Sequence, residues 1–420
     1  MKMSLFEIYN DFANDKNISD LLRSHSIPLT KFESIDKEYL RILDSYLERR
    51  EISRNDIMVL TSMPIQNVSI LMSVANYIRE TSKGNLISFS KNVFIPLTQL
   101  CRDQCSYCTF KYEPGEGPLL VTPDEVLKSA KKAVELGCTE LLFVSGDKPE
   151  KKYEVYRDKL KSMGYSSTAD YMISMSEICL EENIFPHSNL GIANQDELMR
   201  FRNSNPSMGL MLENISERLM DPGMAHYRCP DKYPKARIKT ICSAGELNIP
   251  WTSGILIGIG ENWDERVDSI LELNRINNLY GHIQEIIIQN FNPKPGIKME
   301  GQPAPTDLDM IKTVSISRLI MSKNVNIQVP PNLNSKTYML HVFSGVNDLG
   351  GVSPITIDYV NPESPWPQID LMKTTISEFG FNLRERLPVY PEYLSSEYIE
   401  NHIYERAKKF IDNSGFVTES

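Results

Sequence analysis

Residues 1–85 carry apolar side chains three and four positions apart with no strand-like alternation, which predicts a helical N-terminal extension with helices over 37–51, 53–60 and 64–80. From about residue 88 the pattern changes. Short apolar runs alternate with amphipathic stretches, as repeated βα units around a parallel sheet require. Strands are predicted at 92–97, 140–145, 184–192, 207–214, 252–260, 283–290 and 324–330, with a weaker one at 349–354. Thr122, Pro123 and Glu125 supply an N-cap, a first-turn proline and a capping-box carboxylate, and Gly137 stands where that helix should stop. About eight strands with intervening helices predict an α/β chain: a (β/α)8 TIM-like barrel over 86–355, with an open doubly wound sheet as the alternative. A C-terminal helical tail, 356–420, is expected to pack on the barrel.

Composition narrows the partners. A chain of 420 residues can bury a large core, and its net charge of −10 argues against nucleic acid or an anionic membrane, leaving a small-molecule substrate. No apolar run approaches the roughly 20 residues of a membrane span. The opening MKMSLFEIYNDF has neither a basic leader nor a long apolar segment, so a cytoplasmic protein is expected. Seven cysteines, an odd number, fit reduced thiols better than a disulfide framework.

In a (β/α) barrel the active site is assembled from the loops that follow the strands. Directly after the first strand, CRDQCSYC places Cys101, Cys105 and Cys108 on one short loop. Three sulfurs facing one centre leave a coordination position open, whether the metal is zinc or a four-iron cubane, and an open position implies chemistry. The plain alternatives are a zinc site completed by Cys229 or His226, as in a non-catalytic interaction protein, or free thiols. Later strand ends offer Ser145, Gly146 and Asp147, then His187 and Asn189, Glu213, the glycine-interrupted Gly254, Gly258 and Glu261, and finally Gln289, Asn290 and Phe291. Taken singly these have plain readings too, as a tight turn, a structural histidine, a rim ion pair and a buried strand. Met172, Met175, Met208 and Met211 read as packing, and the remaining cysteines as small core side chains.

The spacing of the cysteines with Tyr107 before the third resembles the signature of the radical S-adenosylmethionine (SAM) enzymes. Around it, FIPLTQLCRDQCSYCTF, SGDKPE, GYSSTADY, PHSNLGI, SMGLMLE, YRCPDKYPKARI, TSGILIGIGE, HIQEIIIQNFNPKPG and GGVSPITIDYVNPESPWPQID are similar, in the same order, to the radical SAM family that closes the deazaflavin ring of FO. The resemblance runs from about residue 85 to about 395. It implies a 4Fe-4S cluster on Cys101, Cys105 and Cys108, with SAM on the fourth iron and cleaved to a 5′-deoxyadenosyl radical. Tyr107 would lie against the adenine, and Ser145, Gly146 and Asp147 would stand where the superfamily has a Gly-Gly-Glu-like strand end. Gly254, Gly258 and Glu261 match a cofactor-contacting strand, with Leu256 for the usual Ile, and Glu213 and Arg237 would address the SAM ribose and carboxylate. The implied substrate is the adduct of tyrosine with 5-amino-6-(D-ribitylamino)uracil, cyclised with loss of ammonia in a lyase reaction. His187, Asn189, Gln289, Asn290 and Phe291 would meet its rings and edges, and Asn347 and Asp348 its ribityl chain. Implied partners are a companion subunit that uses tyrosine and a low-potential electron donor. Related radical SAM enzymes, the companion subunit or a futalosine-pathway menaquinone enzyme, share the barrel and differ in substrate.

Overall fold

The computed structural model describes residues 3–419; the first two residues of the opening stretch and Ser420 lie outside it. Nine strands form: β1 Leu86–Thr98, β2 Glu140–Ser145, β3 Phe185–Asn189, β4 Ser207–Gly209, β5 Trp251–Ile257, β6 Ile283–Asn290, β7 Asn326–Gln328, β8 Asp348–Val352 and β9 Asn382–Glu385. The first eight pair in sequence order, all parallel. The ring closes because β1 pairs with β8 along its first half and with β2 from Asn92 onward. The predicted barrel is therefore present, and β2 and β6 have the predicted bounds. β4 is shorter than expected because regular pairing ends at Gly209; Leu210 still bonds Thr252 and Ser253 of β5, and the chain meets that strand again at the Glu213–Ile255 bridge.

Side-chain alternation explains what fills the barrel. Val93, Ile95, Leu141 and Phe143 are buried on the outward face against the helices, whereas Asn92, Phe94, Glu140, Leu142, Glu285, Ile287 and Gln289 face the lumen. A barrel interior is ordinarily filled by branched apolar layers. This lumen is instead polar and incompletely filled.

The N-terminal helices Leu5–Asn14, Lys16–Ser24, Lys37–Arg49, Arg54–Thr61 and Val68–Lys83 form an outer layer against the barrel helices Trp263–Tyr280 and Asp307–Ile320. Lys312 fastens that layer by donating its Nζ to the Thr61 and Met63 carbonyls at 2.7 and 3.3 Å. Among the described residues no helix is long and apolar enough to cross a membrane.

Residues beyond β8 do more than pack on the outside. Residues 353–366 cross the mouth, anchored where Asn332 donates to Asp358 at 2.9 Å and where Thr109 and Lys294 donate to the Val360 carbonyl. The chain then drops to the opposite end, where β9 pairs with Leu86–Phe89 on the edge of β1 away from β8, below the start of β2. Beyond β9, Arg386 enters the barrel floor and donates to Asp348 at 2.7 and 3.0 Å, while Leu387, Val389 and Tyr390 pack against Leu180, Phe185 and Ile403 beneath it.

Candidate active site

At the mouth a cavity of about 320 Å³ is walled by all three sequence-predicted cysteines together with Tyr107, Ser145, Gly146, Asp147, Asn189, Glu213, Arg237, Gln289, Asn290 and Phe291. The cysteine loop is held from several directions. The Arg102 amide donates to the Asp147 carbonyl at 2.9 Å, the Ser106 amide to Ala225 at 2.9 Å, and Tyr153 donates its hydroxyl to the Cys101 carbonyl at 3.1 Å. The Arg102 guanidinium grips the fully buried Asp231 through two nitrogens. The loop is thus preformed, with its sulfurs turned to the cavity.

Gly146 shows why the second strand must end as it does. A Cβ there would overlap the Leu100 carbonyl oxygen and lie 2.7 Å from the Cys101 Cβ, so only glycine lets the two strand ends touch. The next amide, that of Asp147, donates to the Cys101 sulfur at 3.2 Å. Among the described residues Asp147 Oδ1 and Ser145 Oγ are buried without a hydrogen-bond partner, and Asp147 Oδ2 stands 3.8 Å from Arg237. Buried polar atoms left unpaired at a cavity wall call for a partner from outside the chain, a water or a ligand.

Electrostatics follow from this burial. Desolvation pushes the thiols of Cys101 and Cys108 up, with neighbouring acids adding to it at Cys101; at Cys105 the contact with the Cys229 thiol leads and burial adds. Binding to iron removes those protons. Asp103 beside them is pushed up to about 7 by burial and then by Asp147 and Asp231. Burial also raises Glu213, but Lys232, 2.7 Å away, and Arg237 more than offset it and hold the carboxyl below its ordinary range. Glu213 has φ +64°, a left-handed conformation that non-glycine residues adopt at a cost and that recurs at functional sites. Tyr107 pairs with His226 Nε2 at 3.0 Å, and burial holds that imidazole neutral by pulling its pKa down to about 3.

Other sequence-predicted residues stand elsewhere. Gly254, Gly258 and Glu261 do not line the cavity. Glu261 accepts from the Gly258 and Ile259 amides at 2.9 Å and pairs with Arg266 at 2.6 Å, so it folds the loop after β5, while Leu256 supplies that strand's cavity surface. His187 lies deeper in the lumen, its Nδ1 2.7 Å from Ser207 Oγ. Asn347 and Asp348 need correcting: they sit at the floor, because Asp348 opens β8 instead of following a strand. Asn347 is engaged with Arg318, Ile327 and Asn326, and Asp348 with Ser88 and Arg386. Neither reaches the cavity. Sequence reasoning passed over Lys232, Lys294, Asp358, Asn361 and Trp366, all of which lie inside stretches quoted above for their resemblance. Cys229 is buried with its sulfur accepting from the Gln104 amide at 3.3 Å, yet among the described residues no three His, Cys, Asp or Glu side chains converge on a single-ion site.

Comparison with known proteins agrees with this geometry. The radical SAM superfamily family model matches residues 95–273. The chain is 48% identical over 335 residues to the 7,8-didemethyl-8-hydroxy-5-deazariboflavin synthase of Methanopyrus kandleri, covering 79% of this chain and 100% of that one. It is 46% identical over 330 residues to the synthase of the same name from Methanocaldococcus jannaschii, covering 78% and 90%. Among solved structures it resembles the FeFe-hydrogenase maturase HydG, with TM-score 0.69, 16% identity and coverage of 96% and 85%. Methylornithine synthase is similar at TM-score 0.64 and 18% identity, covering 81% and 97%. These two likenesses concern the fold.

Proposed function

Because the chain belongs to the 7,8-didemethyl-8-hydroxy-5-deazariboflavin synthase family of radical SAM enzymes, we propose that its mouth cavity holds the cofactors and that the lumen below holds the substrate. The protein is an enzyme that forms 7,8-didemethyl-8-hydroxy-5-deazariboflavin (FO), using a 4Fe-4S cluster and SAM. The observation that carries the assignment of residues is the convergence of Cys101, Cys105 and Cys108 on one preformed cavity wall beside the unpaired Ser145 and Asp147 oxygens. Three thiols suit three irons of a cluster. When bound, cluster and SAM together supply the reducing electron and the carbon radical that takes a hydrogen atom from the substrate.

The chain's own residues do the rest. Cys101, Cys105 and Cys108 anchor the cluster. The strand end at Ser145, Gly146 and Asp147 offers its oxygens to the amine of SAM, Glu213 with its counter-ion Lys232 addresses the ribose, and Arg237 the carboxylate. Tyr107, fixed by His226, presents a ring to the adenine. Asn189, Gln289, Asn290 and Phe291, on the wall facing the cysteines, orient the uracil and phenol of the tyrosine-derived adduct by their amide edges and aromatic face. Residues 353–366, crossing the mouth, exclude water from the reaction.

Delivery of the adduct by a companion tyrosine-using subunit, electrons from a low-potential donor and a cytoplasmic location belong to the same proposal. Supporting the last, all seven cysteines are free. The test is anaerobic reconstitution with iron and sulfide, reduction, and incubation with SAM and prepared adduct. FO fluorescence and 5′-deoxyadenosine should appear together, and neither should appear with Cys108→Ala. Tyrosine plus the diaminouracil, without adduct, should give no FO; if that pair alone sustains turnover, the chain performs the companion reaction.

A further inference from the structure

Below the mouth cavity, and sharing with it the wall of Phe94, Leu142, Asn189, Ile287 and Gln289, a second cavity of about 190 Å³ runs down the barrel lumen to the floor. Its lower ring is polar: Asn92, Glu140, His187, Thr252, Glu285 and Gln328, with Arg386 beneath. Several of these groups have spare hydrogen-bonding capacity. Among the described residues Asn92 Oδ1 and Glu285 Oε1 are buried with no partner, and the Gln328 and Gln289 carboxamides make no hydrogen bond. The Gln328 amide is seated over Gly350, where a Cβ would occupy its place. The His187 ring donates from Nδ1 to Ser207, because Ser207 itself donates to the Pro388 carbonyl, which leaves Nε2 as an acceptor.

Such a wall alternates donors and acceptors at short intervals and carries carboxyl groups with a single guanidinium already bound to Asp348 and Glu285. Each hydroxyl of a polyol is both donor and acceptor, so a neutral polyol satisfies the ring, whereas a phosphate would be stripped of water beside a guanidinium already taken by Asp348 and Glu285. Length agrees. From Gln289 to Glu285 is four residues of strand, roughly 13 Å along β6 and about 11 Å along the barrel axis once strands tilt by about 36°. That depth takes a five-carbon chain.

Resting on the function proposed above, we infer that the lower lumen is a polyol subsite. It seats the free ribityl chain of the substrate between Gln328, Asn92, His187 and Glu285, so that the reacting rings stay at the level of Gln289 and Asn189 and a 5′-phosphorylated chain is refused. This relocates the ribityl contact from Asn347 and Asp348 to residues whose side chains face the lumen.

The experiment is a fluorescence titration of the reconstituted, SAM-loaded enzyme with three deazaflavins: FO, FO carrying a 5′-phosphate, and an analogue with N10-methyl in place of ribityl. FO should bind at least about tenfold tighter than either, the size expected of two or more net hydrogen bonds. Gln328→Leu, and separately Asn92→Ala should the first fail to fold, should lower the FO-over-methyl ratio by about fivefold while leaving the methyl analogue's affinity within about twofold. Equal affinity of the wild-type enzyme for FO and the methyl analogue, or tight binding of the phosphate, overturns the subsite. So does an unchanged ratio in both variants. Failure of the underlying function looks different: no FO is then made from the adduct at all.

Discussion

At the scale of single residues the site depends on contacts too close to tolerate one carbon. Gly146→Ala would drive a methyl into the Leu100 carbonyl and force β1 and β2 apart at the cysteine loop. Overpacking of this kind costs about 1–3 kcal/mol, so the urea midpoint should fall. The amide of Asp147 should also lose its 3.2 Å contact with the Cys101 sulfur. The expected outcome is a cluster that still assembles, read as bound iron, with uncoupled 5′-deoxyadenosine formation reduced at least about tenfold, the lower end of what supporting contacts to a metal site contribute. Removing a ligand differs. Cys105→Ala should abolish iron incorporation, and Cys229→Ala should leave it intact, because the Cys229 sulfur is already bonded to the Gln104 amide and does not line the mouth cavity. The cysteine trio was legible because its chemistry is written in local spacing. The roles of Gly146 and Lys232 were not, since each depends on a neighbour brought in by another strand or loop.

At the scale of elements, β2 and β6 were readable to the residue from the short apolar runs LLFV and III at their centres and the turn residues beyond their ends, whereas β9 was not readable at all. NLRE is short, polar and half-exposed, and its partner Leu86–Phe89 lies almost three hundred positions away in the chain. No periodicity signals such a pairing. Yet β9 delivers Arg386, 5% exposed, to Asp348 and Glu285, 0% and 3% exposed. Truncating one partner of a buried ion pair leaves an uncompensated charge and costs about 3–5 kcal/mol. Arg386→Met should therefore lower unfolding free energy by that amount in urea denaturation. Replacing Arg384, whose ion pair with Asp412 is partly exposed, should cost less than about 1 kcal/mol. A loss confined to the first variant places the stability of the floor in this one cation; equal losses would assign it to general packing of the tail.

For the whole molecule the buried titratable groups set an unusual dependence of stability on pH. Burial pulls His187, His226 and His341 down to about 3 and His282 to about 4, so each is neutral when folded and takes up a proton on unfolding below its ordinary pKa. Their contribution is present above about pH 6.5 and is lost as pH falls. Burial pushes Glu285 up to about 8, and Glu385 and Asp103 to about 7. These are protonated when folded and release a proton on unfolding near neutrality, so their contribution is complete at low pH and lost as pH rises through 7 to 8. Between about pH 4.5 and 6.5 the four unfolded histidines bind one proton more than the three folded carboxyls hold, so these groups make stability rise with pH there, by about 1.4 kcal/mol per pH unit. Above 6.5 only the carboxyls remain. Unfolding free energy of the cluster-free protein, measured by urea at pH 6.5 and 8.0, should thus fall by on the order of 1–2 kcal/mol as pH rises, where most proteins change little. Glu285→Gln, which keeps the shape of the neutral carboxyl, should remove the larger part of that fall. A steady rise in stability from pH 6.5 to 8.0 would mean that Arg386 holds Glu285 ionised and that the floor is an ordinary ion-pair network.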